Sequence, residues 1–174
     1  MSGIVTPDYA RRMARYNAWQ SHQIGQALQD ISDAALVQDR EAFWGSLLGT
    51  LNHLCWGDLM WMARFDGGPV PDVAQGASGE MFVDRTAWAA ARAGLDRRIT
   101  VWAGGLSQAG LDAELSWFSG TVQKTFAMPL SQLVVHFFNH QTHHRGQIHV
   151  MLSQAGATPP VTDLFLMPEH GPWD

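Results

Sequence analysis

Five of the eight histidines in the chain lie close together near its carboxyl end, at positions 136, 140, 143, 144 and 149. Here apolar residues recur at steps of three and four and predict one core-facing helical stripe: Leu130, Leu133, Phe137, His140, His144, Gln147 and Met151. His140 and His144 are one turn apart on that stripe, with Cβ atoms about 5 to 6 Å apart. Two buried imidazoles need polar partners, and one divalent metal ion satisfies both. Hydrogen bonds to Ser, Asn or water are the alternative.

His53 lies in the other strongly apolar segment, among Leu51, Leu54, Cys55 and Trp56. Three imidazoles from two helices would leave one or two coordination positions open, which is typical of a catalytic rather than a structural site. Zinc and nickel both suit imidazole ligands. His53 as a hydrogen-bonded core residue is the alternative, because spacing alone does not show that the two helices meet at this level.

Two neighbours of this set have more than one interpretation. His143 could replace His144 as a ligand, since residues three apart also meet on a helix, although the stripe favours His144. Gln147 lies one turn from His144, where it either orients a ligand or ends the core face.

Cys55 follows His53 by two positions and therefore points to another side of the helix, so an ordinary core cysteine is expected. Asp58 and Arg145 are candidate polar pocket residues, but a single Asp or Arg on a bundle helix more often lies at the surface or in a salt bridge. No catalytic acid or base is assigned. Most tryptophans are expected to pack in the core or a dimer contact, although one at an open metal face could hold an apolar substrate.

Four helices are predicted to position these residues. Their expected bounds are from Pro7, after an N-cap at Thr6, to near Asp30; from near Asp39 to Phe65; from Asp84 or Thr86 to Gly104 and Gly105; and from Pro129 to about Gln154. Residues 67–79 are rich in Gly, Pro, Ala and Ser and predict a long surface crossover. Residues 113–126 predict a short extended hairpin or ordered loop, and a short element is expected around Leu164. The fold class is an all-α four-helix bundle.

Composition excludes several other functions. The 174 residues fit one domain of about 100 to 200 residues. A net charge of −5, with 11 basic and 16 acidic side chains, argues against nucleic-acid or anionic-membrane partners. Residues 43–62 are long enough to span a bilayer, but Asn52, His53 and Asp58 would be costly in lipid. One cysteine and no leader-like start favour a cytoplasmic location, and phosphate-loop and serine-hydrolase motifs are absent.

Three sequence blocks carry a resemblance to a known family. They are the Arg-Tyr-Asn-Ala-Trp run at 15–19, the Leu-Asn-His-Leu run with Trp-Gly-Asp at 51–58, and the Asn-His-Gln-Thr-His-His-Arg-Gly-Gln run at 139–147. Together with Pro-Pro-Val-Thr-Asp at 159–163, they resemble the DinB family of damage-inducible proteins over nearly the whole chain. The last histidine block with the upstream histidine is the specific part.

The resemblance implies an up-down-down-up four-helix bundle, commonly dimeric, with a divalent ion held by three histidines. Carried over by position, these are His53, His140 and His144. Related bundle proteins include thiol-dependent transferases and an isomerase, in which the metal lowers the pKa of a low-molecular-weight thiol. The resemblance thus implies a cytoplasmic, homodimeric zinc or nickel enzyme that acts on a small molecule with a low-molecular-weight thiol. A metal-dependent hydrolase and a non-catalytic, stress-related metal-binding dimer are the alternatives.

Overall fold

The protein is described by a computed structural model over residues 4–173. It is mostly helical, with one small two-stranded sheet. Within those residues the α-helices are α1 (Pro7–Ala27), α2 (Asp33–Val37), α3 (Leu47–Asp66), α4 (Arg85–Gly104), α5 (Gln108–Asp112) and α6 (Leu130–Gln154). The strands β1 (Glu114–Ser119) and β2 (Lys124–Pro129) pair antiparallel, with Glu114 opposite Pro129. The hairpin predicted between the third and fourth long helices is therefore confirmed.

Side-chain caps explain where the long helices begin. Thr6 accepts a hydrogen bond from the backbone N–H of Tyr9, and Asp84 accepts one from that of Ala87, so both predicted starts are confirmed. The carboxyl-terminal bounds of α4 and α6 also agree with the prediction, and a 3-10 turn extends α1 to Asp30.

The predicted start of the second long helix at Asp39 is wrong. The Asp39 carboxylate accepts from the backbone N–H of Glu41 in a turn, and Ser46 is the actual N-cap of α3. Glu41 and Gly45 have φ values of 56° and 70°, so both lie in the left-handed region that an α-helix does not use. Asp39 and Glu41, which predicted the first turn of a helix, therefore lie in a loop that precedes α3.

The crossover between α3 and α4 also differs from the prediction. A 3-10 helix, Gln75–Glu80, packs against α3 and buries Ser78 completely, so this segment is not only a surface connection. A second 3-10 helix, Leu164–Leu166, forms the expected short element in the tail.

Helix α1 packs against α4, and α3 packs against both α4 and α6. Two separate apolar clusters fill the interior, one around Leu28, Leu51 and Leu152 and the other around Ile99 and Phe137. Each long helix contributes one segment to the first cluster and another segment to the second, and buried polar residues lie between these two segments. The core is therefore divided by a polar layer. In the described residues, no helix is long and apolar enough to cross a membrane.

Candidate metal centre

The structure brings His53 of α3 together with His140 and His144 of α6. One potential ligand atom from each imidazole lies within 4.8 Å of the other two. The Nε2 atoms of His140 and His144 are 3.2 Å apart, and the His53 ring centre is 4.8 Å from that of His144. The two helices thus meet at the level that spacing alone left open. Ligation by these three residues stays a prediction.

Hydrogen bonds orient two of the three rings. His144 Nδ1 donates to Gln147 Oε1 at 2.7 Å, which leaves the lone pair of a neutral ring on Nε2. His53 Nδ1 lies 2.9 Å from the Ser78 hydroxyl. His140 Nδ1 is buried and has no hydrogen-bond partner among the described residues. Of the two interpretations of Gln147, the structure agrees with the orienting contact. The role of Ser78 was missed, because nothing in the Gly- and Ala-rich crossover distinguishes this serine from its neighbours.

Close packing fixes the rings from their other sides. The Trp44 ring stacks on His53, with ring centres 3.9 Å apart and planes inclined by 19°. On α3, Gly57 leaves room for His140: a Cβ at this position would lie 2.7 Å from His140 Cε1. A tryptophan and a glycine therefore determine how closely the imidazoles approach one another.

Burial keeps these imidazoles neutral. Desolvation, with a smaller contribution from the neighbouring His144, lowers the pKa of His53 from 6.5 to about 4. Desolvation and the surrounding histidines lower the pKa of His140 to about 3. Burial also lowers the pKa of His144, against the hydrogen bond to Gln147. All three rings are thus unprotonated at neutral pH, as metal ligands must be.

The donor set fits a divalent transition metal. Tetrahedral zinc with Zn–N bonds of about 2.0 to 2.1 Å separates its ligand nitrogens by about 3.3 Å, close to the 3.2 Å between His140 Nε2 and His144 Nε2. Neutral imidazole nitrogens suit zinc, nickel and copper better than magnesium or calcium. Three protein ligands leave at least one coordination position for another molecule.

The neighbouring candidates lie outside the three-histidine group. His143 is exposed, although its ring is near that of His144, and His136 packs against Trp61. Cys55 is buried, and desolvation raises the pKa of its thiol to about 12. Its sulfur accepts a contact from the guanidinium of Arg92 at 3.9 Å, and it is not part of the group of potential ligand atoms.

A buried ionic network lies beside the histidines. Arg92 Nη1 donates to Asp58 Oδ2 at 2.6 Å, and its Nη2 donates to Asp96 Oδ1 at 2.6 Å. Gln141, next in sequence to His140, donates to the same Asp58 oxygen at 3.1 Å. Asp58 is fully buried, so its place in a salt bridge rather than at the surface is now clear. The network joins α3, α4 and α6.

The network continues to α1 through Asn17. Its amide donates to Asp96 Oδ1 at 3.0 Å, and its side-chain oxygen accepts from Arg145 Nη1 at 2.5 Å. Arg145 is buried and follows His144 directly in sequence. Polar contacts therefore connect all four long helices at the level of the histidines. These contacts fix the position of α6 along its axis relative to α3, and so the height of His140 and His144 beside His53.

The fold and this group of side chains define a helical protein with a histidine cluster able to hold one metal ion. The DinB family model matches residues 1–173, and the chain belongs to the DinB family. It is 27% identical over 165 residues to Protein DinB of Bacillus subtilis (strain 168), covering 91% of this chain and 93% of that protein. The crystal structure of a DinB-like protein from Bacillus cereus has a similar fold, with a TM-score of 0.59 and 19% identity over 82% of this chain and 90% of the other.

Proposed function

We propose that this protein is a metalloenzyme that holds one zinc or nickel ion with His53, His140 and His144 and binds a small thiol at an open coordination position. The reaction is then a thiol-dependent transfer to a small-molecule substrate. The observation that carries the proposal is the convergence of three neutral imidazoles from two helices within 4.8 Å. Membership of the DinB family supports it.

The chain's own residues have distinct tasks in this proposal. Gln147 holds the proton of His144 on Nδ1 and so presents Nε2, while Ser78 fixes the ring of His53. Trp44 covers one face of His53 and limits access of water there. A bound divalent ion would supply Lewis acidity, which lowers the pKa of a thiol or water that it binds.

The same proposal includes the finer architecture and setting. The long helices α1, α3, α4 and α6 would form the up-down-down-up bundle, with the crossover between α3 and α4 as its long connection. The similar fold of the Bacillus cereus DinB-like protein supports this arrangement. A homodimer in the cytoplasm is part of the same proposal, and the net charge of −5 supports the absence of a nucleic-acid or anionic-membrane partner.

Elemental analysis of tag-free protein tests the metal site. We expect about one ion per chain in the wild type after loading with zinc or nickel, and loss of that ion in His144→Ala. The matched control is His143→Ala, which removes an exposed imidazole one position away and should retain the ion. Failure to bind any of these ions, or equal retention in His144→Ala, would refute the site.

Titration of the cobalt-loaded protein with small thiols tests the open position. Entry of a thiolate should produce a new charge-transfer absorption that saturates at one thiol per ion and is absent in His144→Ala. A spectrum unchanged by thiols, together with metal-dependent ester hydrolysis, would favour a hydrolase. Neither thiol binding nor hydrolysis, but a large drop in melting temperature on chelation, would favour a non-catalytic metal-binding protein.

A further inference from the structure

One arginine of α3 has no acidic partner among residues 4–173. Arg64 is half-buried, and its guanidinium carbon lies 4.5 Å from the ring centre of Trp61 and 5.9 Å from that of Trp117. Burial lowers the pKa of Arg64, and no described residue forms a hydrogen bond or an ion pair with it. None of its nitrogen atoms is fully enclosed by the described part of the chain. Two indole rings therefore hold a guanidinium group whose N–H donors remain accessible.

His136 connects this arginine to the metal centre. Its ring centre lies 4.9 Å from that of Trp61 and 6.2 Å from that of His140. Burial, and then the charge of Arg64, lowers the pKa of His136, so the guanidinium is near enough to repel a proton on this ring. On α3, Trp61 follows Gly57 by one turn, a rise of about 6 Å, and Gly57 lies against His140. The arginine and the potential metal ligands are thus within reach of one small molecule.

The surroundings of Arg64 carry positive charge. Asp66, two positions along α3, accepts hydrogen bonds from Arg98 with both carboxylate oxygens, so its charge is already paired. Lys124 of β2 lies over the aromatic ring that stacks on Trp117 and adds a second positive charge. The chain as a whole has a net charge of −5. A local positive group of this kind attracts an anion.

A carboxylate fits this arrangement better than a phosphate. One guanidinium group can donate two parallel N–H bonds to the two oxygens of a carboxylate. Phosphate sites commonly use a helix N-terminus or a nest of backbone N–H groups. Arg64 instead lies in the last turn of α3, at the negative end of the helix dipole, which disfavours a dianion. His136 offers one further ring N–H beside the guanidinium.

We propose that Arg64 and His136 form a carboxylate-binding subsite of the metal centre, so that a small molecule reacting there carries a carboxylate. The carboxylate belongs either to the thiol or to the second substrate, and the two sources share this chemistry. Trp61 and Trp117 hold the guanidinium in place beside the bound molecule. The reaction that the subsite serves rests on the proposed function, whereas binding of the carboxylate itself needs no metal ion.

Titration of the full chain with hexanoate tests the subsite, both zinc-loaded and after chelation, with hexan-1-ol as the neutral control. In proton–nitrogen correlation spectra we expect hexanoate, but not the alcohol, to shift the indole N–H signals of Trp61 and Trp117 saturably. Arg64→Gln should weaken this binding at least tenfold, and His136→Phe, which keeps a ring but removes the N–H, about threefold. The matched control is Arg12→Gln, which changes an exposed arginine of α1 and should leave binding unchanged. Carboxylate bound directly to zinc would be unaffected by Arg64→Gln.

Two thiols on the cobalt-loaded protein distinguish the sources of the carboxylate. Binding of 6-mercaptohexanoate at least tenfold tighter than 6-mercaptohexan-1-ol, with the difference lost in Arg64→Gln, would place the carboxylate on the thiol. Equal affinities of the two thiols, with hexanoate binding retained, would place it on the second substrate.

Failure of the subsite and failure of the proposed function give different results. No thiolate absorption, with hexanoate binding retained, would refute the thiol chemistry and leave the subsite standing. No saturable shift with hexanoate, or the same hexanoate affinity in Arg64→Gln as in the wild type, would overturn the subsite. Arg64 would then only stabilise the end of α3.

Discussion

Gly57→Ala should weaken metal binding without removing a ligand. The added Cβ would lie 2.7 Å from Cε1 and 3.4 Å from Nδ1 of His140. Carbon atoms in van der Waals contact are about 3.5 to 4.0 Å apart, so the imidazole must move by about 1 Å. Metal–ligand distances tolerate only about 0.2 Å. We therefore expect at least a tenfold loss of zinc affinity, measured by competition with a chromophoric chelator.

The matched control for this substitution is Gly146→Ala on α6. Apart from the adjacent residues and the backbone of α6 itself, no atom of the described residues lies within 4 Å of a Cβ built at Gly146, so zinc affinity should be unchanged and the free energy of unfolding should rise by about 0.5 to 1 kcal/mol. Overpacking at Gly57 costs about 1 to 3 kcal/mol, partly offset by the same gain in helix propensity. Urea unfolding of the chelated proteins measures this separately. Wild-type zinc affinity in Gly57→Ala would contradict the role of His140.

Three further changes probe the surroundings of the site. Asp58→Asn breaks a buried ion pair and should lower the free energy of unfolding by about 3 kcal/mol, whereas Asp66→Asn, at a more exposed pair, should cost under about 1 kcal/mol in the same urea titration. Ser78→Ala removes the partner of His53 and should weaken zinc binding at least tenfold in a chelator competition; unchanged affinity would exclude an orienting role. The pKa values of His53 and His140 are about 4 and 3 in the folded chain and near 6.5 when unfolded, so protons bind the unfolded state first. Chelated protein should therefore have its full stability from these groups above about pH 6.5 and lose it towards pH 4 in urea titrations, and His53→Gln should reduce that slope.

The long helices were predictable wherever local capping and tertiary packing agree. Thr6 and Asp84 cap their helices through bonds to residues three positions ahead, which a short sequence window contains. The start of α3 was misplaced because Asp39 makes an equally local bond in a turn, and sequence alone does not distinguish it from a cap. The turn also places Glu41 in the left-handed backbone region, which glutamate rarely adopts, so the residue type did not predict a turn there.

The histidine cluster was predictable because a helical stripe places His140 and His144 on one face, but the supporting contacts depend on residues distant in sequence. Asp58 and Arg92 are 34 positions apart, and Arg145 and Asn17 are 128 apart. Periodicity predicts which face is buried, and for an isolated charge it favours the surface. Arg92 pairs with Asp58 and Asp96, and the neutral amides of Asn17 and Gln141 extend these contacts to the other two long helices, so burial of the charges is possible only in the assembled fold. The sequence pattern therefore predicts the histidines that would bind a metal. The polar layer that fixes the distances between their rings forms only when the helices pack together.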